Sequence, residues 1–231
     1  MEKIRKIKVI GVGGIGCYLI EPLSRYLSYT EDLCEITIID GDSYEEVNRE
    51  RQRFSNCKNK AEETVSRYKD EFPKIHFRSK KEYLKDDNVI SSIRENDIVF
   101  MCVDNHATRK LVSDRCGELD NVTLISGGND YTDGNIICYI RKDGQDLTKS
   151  LTDLHPKISQ PQDKNPGELR EIENAGCERE AQQQPQLLFT NLSIASMMLN
   201  CYRKCEQEKV NFHQVYIDIE TLRARPSPET F

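Results

Sequence analysis

The chain has 231 residues, 31% of them charged and 37% apolar, with 33 Lys plus Arg against 39 Asp plus Glu and a formal net charge of −6. That balance excludes a general basic footprint for nucleic acid and offers nothing to an anionic membrane surface. The length suits one domain, 1–231, large enough to bury a hydrophobic core. Residues 1–8 are basic and run straight into glycines, so no secretory-signal core precedes the first motif. Nine cysteines with no such signal read as free thiols in a reducing cytoplasm. The longest apolar stretch, 187–199, is interrupted by Thr190, Asn191 and Ser193 and is too short and polar to span a bilayer.

In chain order, residues 6–11 (KIKVIG) read as a buried strand, 11–16 (GVGGIG) as a turn and 17–28 as a helix. Residues 35–39 (EITII) read as a second strand, closed by Asp40, which completes a βαβ unit with parallel strands. A helix over 59–68, a strand over 75–78 and a strongly apolar strand over 97–103 follow. Then come a helix over 106–119, a strand over 122–126 ahead of Gly127 and Gly128, and an alternating strand over 135–141 expected to pair antiparallel. From 142 to 185 the chain is rich in Asp, Gln, Lys, Pro and Asn, and it reads as a long mobile crossover loop. A long buried helix over 186–205 and a strand over 214–219 end the pattern, with a polar tail beyond. The expected fold is α/β, a Rossmann-like, mostly parallel sheet with helices on both faces, extended by antiparallel strands.

Gly11-Val-Gly13-Gly14-Ile-Gly16 fits G-x-G-x-x-G between a strand and a helix. Glycines let backbone approach phosphate oxygens, and the helix N-terminus adds N–H donors and partial positive charge. Asp40 stands where an acid binds ribose hydroxyls. By itself this motif means a nucleotide and points first to a nicotinamide dehydrogenase. The residues after it do not suit hydride transfer. Asn48, Arg51, Gln52, Lys60-Ala61 and Asp104-Asn105 supply cations, amides and a separate acid, a set matched to a triphosphate with a metal ion. Arg109 reads as an ion pair on a helix face and is left outside the site.

Five elements in this order over residues 6–110 resemble the ThiF/MoeB/ubiquitin-activating superfamily of adenylating enzymes. They are the GxGGxG turn, the acid closing the second strand, the Asn-x-x-Arg-Gln stretch, the Lys-Ala and the Asp-Asn after a later apolar strand. The resemblance implies that Gly11, Gly13 and Gly14 approach phosphate, Asp40 holds the ribose, and Asn48, Arg51 and Lys60 hold the triphosphate. It implies that Asp104 binds Mg²⁺ and that Asn105 lies beside the nucleotide, with Arg51, Lys60 and Asp104 as catalytic residues. The implied activity is ATP-dependent adenylation of the C-terminal carboxylate of a ubiquitin-like protein ending in glycine, by a homodimer of bacterial type. The chain lacks the paired Cys-x-x-Cys motifs of many members, so no structural zinc is expected. Arg5 is the one arginine ahead of the glycine turn, and it reads as structural rather than as an arginine reaching a partner's ATP.

Members that form a thioester carry the nucleophile in a crossover loop, and Cys177 is the only cysteine between 142 and 185. The resemblance therefore makes Cys177 the catalytic acyl acceptor, with hand-over to a conjugating enzyme. Cys17, Cys102, Cys116, Cys138, Cys201 and Cys205 read as small buried hydrophobes. Three alternatives stay open: an adenylation-only enzyme of sulfur-carrier or peptide-modifying type, a nicotinamide oxidoreductase, and a non-catalytic scaffold subunit.

Overall fold

The computed structural model describes residues 4–30, 33–167 and 186–228. Its parallel strands are β1 (Arg5–Ile10), β2 (Cys34–Ile39), β3 (Ile75–Lys80), β4 (Ile98–Met101) and β5 (Val122–Asn129). An antiparallel extension follows, formed by β6 (Asp133–Lys142), β8 (Phe212–Asp218) and β9 (Arg223–Pro228), with the two-residue β7 (Gln145–Asp146) paired to β6. The spatial order is β3-β2-β1-β4-β5-β6-β8-β9. This is the expected Rossmann-like, mostly parallel sheet with an antiparallel extension.

Helices cover both faces because the central strands are apolar on both. On one face lie α1 (Gly16–Thr30), α2 (Lys60–Tyr68) and α7 (Leu188–Glu206). Leu19, Leu23, Ala61, Tyr68, Ile194 and Met198 pack there against Ile7, Val9, Ile36 and Phe100. The other face carries α3 (Asp86–Ser92), α4 (His106–Gly117), α5 (Leu151–Leu154) and α6 (Pro156–Ser159). Val89, Ile93, Val112, Cys116, Leu151 and Ile158 pack there with Ile10, Val99 and Met101. Arg5 opens β1 and ties it to α7, donating to the Tyr202 hydroxyl at 2.7 Å and pairing with Glu206.

The structure differs from the sequence reading in three places. The described part of the 142–185 segment contains β7, α5 and α6, and Leu151 and Ile158 anchor it in the core. Helix α3 had no counterpart in the reading. The polar tail forms β9, whose two prolines sit on the outermost strand, where a missing N–H costs no ladder bond. Among the described residues no helix is long and apolar enough to cross a membrane.

Candidate active site

The strand order reverses between β1 and β4, and the crevice at such a switch point lies beyond the carboxyl ends of the strands. A cavity of about 1490 Å³ opens there. Its wall includes Gly11, Gly13, Gly14, Asp40, Arg51, Lys60, Asp104 and Asn105, so eight residues proposed from separate motifs meet at one place.

The glycine turn is built for close approach. Gly11 has φ +83°, a region that L side chains rarely adopt, and its N–H donates to the Ile39 carbonyl at 2.9 Å. A Cβ on Gly16 would stand 2.1 Å from the Gly11 carbonyl oxygen, so α1 can start only with a residue lacking one. Asp40 locks this turn to the next loop: its Oδ2 accepts from Val12 N–H at 2.7 Å and its Oδ1 from Asp42 N–H at 2.8 Å. Burial pushes the Asp40 carboxyl up to about 6 against the pull of Lys60.

Asn59 caps α2, accepting from Glu62 N–H at 3.1 Å while donating to the carbonyls of Asp40 and Asp42 at 2.9 and 3.0 Å. The cap sets Lys60 at the first helical position with its ammonium 3.3 Å from the Asp42 carboxylate. Tyr83 lies against Gly41, where an added Cβ would meet its ring at 2.5 Å, and its hydroxyl bonds Asp42. Arg51 is buried after a 3-10 turn (Glu46–Glu50) and donates to Gln186 Oε1 at 3.1 Å. Next to it in the sequence, the buried Gln52 Oε1 has no hydrogen-bond partner among the described residues, a polar atom left for a ligand or water.

Two expectations about single residues change. Asn48 does not reach the cavity: it is 3% exposed, and its Oδ1 accepts from Glu45 N–H at 3.1 Å, closing the 3-10 turn. Arg109 is not a helix-face ion pair. It is 8% exposed and part of the cavity wall, with Nε donating to the Val103 carbonyl at 2.9 Å and Nη2 to the Gly127 carbonyl at 3.2 Å. Burial lowers its proton affinity, opposed first by Asp104.

Asp104 leaves β4 exposed into the cavity, and the cap of α4 falls to Asn105, whose Oδ1 accepts from Thr108 N–H at 2.7 Å. A second cap comes from far along the chain. The carboxylate of Asp163 accepts from His106 N–H at 2.7 Å and Ala107 N–H at 2.9 Å. Near it Asn165 donates to the Leu84 carbonyl at 2.6 Å, so residues 161–167 bridge α4 to the wall beside Tyr83. Tyr83, Gln186, His155 and Asp163 line the cavity without having been singled out from the sequence. Gln52 stood in the quoted motif without an assigned role. Cys177 lies outside the described residues. Of the described cysteines, Cys57 is exposed, Cys205 half-buried, and the others buried.

A sequence model of the ThiF family matches residues 1–225. The chain belongs to the ThiF family. It is 33% identical over 143 residues to an adenylyltransferase and sulfurtransferase UBA4 of Debaryomyces hansenii, covering 58% of this chain and 30% of that protein. It is 31% identical over 146 residues to an adenylyltransferase and sulfurtransferase MOCS3 of Drosophila ananassae, covering 62% of this chain and 31% of that protein. This ThiF-family chain thus spans about a third of the length of the curated relatives it matches. Among solved structures, E. coli MccB superposes with a TM-score of 0.70 at 17% identity, over 97% of this chain and 62% of MccB. PaaA superposes with a TM-score of 0.67 at 14% identity, over 97% of this chain and 72% of PaaA. These two likenesses establish a shared fold.

Proposed function

We propose that this chain uses ATP to adenylate the C-terminal carboxylate of a ubiquitin-like protein ending in glycine. The observation that carries the reading is the convergence of the glycine turn, Asp40, Arg51, Lys60 and Asp104 on one cavity at the switch point. Relatives named adenylyltransferases support it, and E. coli MccB, of the same fold, has been solved with ATP. In this reading Asp40 receives the ribose hydroxyls on the lone pairs left after its two backbone bonds. The N-terminus of α1, Arg51 and Lys60 take the triphosphate.

A carboxylate oxygen attacks the α-phosphorus, an acyl–O–P bond forms, and the bond to the β-phosphate breaks with its electron pair leaving on pyrophosphate. Negative charge grows on the phosphoryl and pyrophosphate oxygens, where the two cations lower the barrier. Asp104 is assigned to Mg²⁺. Among the described residues no three His, Cys, Asp or Glu side chains form a metal site of their own. Asp104 would hold the ion, which would neutralise phosphate charge when bound. The Cys177 thiolate then attacks the acyl carbon, the C–O bond to AMP breaks with its electrons, and the thioester passes to a conjugating enzyme. A homodimer is part of the proposal.

Pyrophosphate exchange into ATP tests the first step. Wild-type protein should exchange in the presence of its carrier, and Asp104→Ala should not; equal exchange by both removes Asp104 from the mechanism. Thermal stabilisation by ATP–Mg²⁺ should exceed that by NAD, since a ligand that binds the native state raises its apparent stability. The reverse order favours the oxidoreductase reading. A thiol-sensitive adduct on Cys177, lost in Cys177→Ala, tests the second step. With no adduct on wild type, the enzyme stops at the adenylate.

A further inference from the structure

Arg109 is a buried charge with no carboxylate in ion-pair contact among the described residues, although Asp104, Asp163 and Asp130 act on it from farther away. A guanidinium carries five N–H donors in a rigid fork. Here Nε and Nη2 are held by the carbonyls of Val103 and Gly127, while Nη1 has no hydrogen-bond partner and no carboxylate lies within ion-pair distance among the described residues. Isolated buried charges are costly, and structures keep them only where something neutralises them. The two carbonyl bonds fix the plane of the group without compensating its charge.

The chain makes room for this arrangement. A Cβ on Gly128 would stand 2.6 Å from both Nη atoms, so β5 crosses directly over the guanidinium and any larger residue there would push it aside. Gly127 is equally constrained on the other face, where a Cβ would meet Met198 Sδ at 2.4 Å. The pair of glycines therefore lets β5 lie between α7 and an arginine that belongs to the cavity wall.

The cavity also has two ends. The cations suited to phosphate, Arg51 and Lys60, stand with the glycine turn and the loops after β2. Arg109 stands at the end of β5, next to Gly128, Asn129 and Asp130 and close to the antiparallel extension. In the strand order β2-β1-β4-β5 the loop that carries Asp104 comes between them, and 1490 Å³ exceeds the roughly 300–1,000 Å³ of a pocket for one small ligand. We propose that Arg109 is the receptor for the carboxylate of the acyl substrate, held under Gly128 as a preset oxyanion-binding fork at the end of the cavity away from the phosphate cations. This rests on the adenylation reading for the identity of the second ligand, and it adds the residue that grips that ligand before attack.

The probe is N-acetylglycylglycine, a short chain with a free carboxylate, compared with its C-terminal amide. Binding is read by titration calorimetry on the whole chain saturated with the non-hydrolysable analogue AMPCPP and Mg²⁺, and ATP–Mg²⁺ stabilisation is measured separately. Wild type should prefer the acid by about 10- to 100-fold, the range of a charge-assisted hydrogen-bonded pair. Arg109→Gln should erase the preference while leaving ATP–Mg²⁺ stabilisation unchanged. Gly128→Ala keeps the arginine but displaces its flexible end, and should erase the preference in a protein whose melting shows it folded. The assignment is overturned if wild type does not distinguish acid from amide, if either folded variant still does, or if Arg109→Gln loses nucleotide stabilisation as fully as Lys60→Met, which would make Arg109 a phosphate ligand. If wild type is not stabilised by ATP–Mg²⁺ at all, the adenylation reading fails, and an acid preference measured without nucleotide still decides the role of Arg109.

Discussion

Replacing Asp40 by asparagine should change how stability depends on pH more than it changes stability itself. Burial raises the Asp40 carboxyl from its ordinary 3.8 to about 6. A buried acid with raised proton affinity binds its proton more tightly in the folded chain than in the unfolded one. Folding therefore loses stability as pH rises from the unfolded value through the folded one, and the cost is complete above it. At about 1.36 kcal/mol per tenfold change in proton affinity, the cost of holding Asp40 ionised at neutral pH is about 3 kcal/mol. The asparagine has no such cost at any pH. It does turn one amide N–H₂ toward the N–H of Val12 or Asp42, an unmade bond worth about 1–3 kcal/mol. That penalty is independent of pH, so it drops out when one pH is compared with another. The chain has no tryptophan, so unfolding in urea is best followed by circular dichroism. Between pH 4 and pH 7.5 the stability of wild type relative to Asp40→Asn should fall by about 2–3 kcal/mol. Parallel profiles, with a constant gap between the two proteins, would refute the claim that burial dominates the state of this carboxylate.

The other predictions concern the turn, the triphosphate cations and the cap of α4. Gly16→Ala places a Cβ 2.1 Å from a backbone oxygen and should cost at least about 1–3 kcal/mol by urea titration, whereas Gly13→Ala, with its nearest contact at 4.0 Å, should be close to neutral. Lys60→Met should lose ATP–Mg²⁺ stabilisation in a thermal melt while keeping its fold, because the buried stem is retained and only the ammonium is removed; full stabilisation in that variant takes Lys60 out of the nucleotide site. Asn105→Ala removes the Thr108 N–H acceptor and should cost about 1 kcal/mol of stability in the same titration, with no loss detected if the Asp163 bonds suffice for the helix end.

The first half of the fold was legible because several local signals agreed there. Periodicity, turn chemistry and a terminal acid all pointed to a strand, a glycine turn, a helix and a strand. Asp40, Arg51, Lys60 and Asp104 could be singled out as candidates because the order of their motifs is informative even though no single one is, and the fold brings them to one cavity. What failed was the direction of individual side chains. Nothing local tells whether Asn48 turns outward to a ligand or back to Glu45 N–H, and the difference is one rotamer. Arg109 sits at a helical spacing that suits an exposed ion pair, and only the path of β5 over it, 18 residues downstream, buries it. Edge strand β9 was hidden because two prolines and two arginines in six residues look like a solvated tail. A sheet edge tolerates both, since one side of its backbone faces no partner.

The bond between Asp163 and the first turn of α4 has a consequence for anyone cutting or grafting this chain. The loop that presents Asp104 is held in part by a carboxylate 57 residues further on, in a stretch whose composition marks it as expendable. A shortened version that stops after β6, or a chimera that exchanges the segment beyond it, would keep every residue of the glycine turn and both Arg51 and Lys60. It would nonetheless leave the N–H groups of His106 and Ala107 bare beside the cavity, offering a second anion-binding helix end that the intact chain keeps filled. In the adenylation reading a triphosphate would then have two places to lie rather than one, so Asp163 would help give the cavity its polarity without touching the ligand.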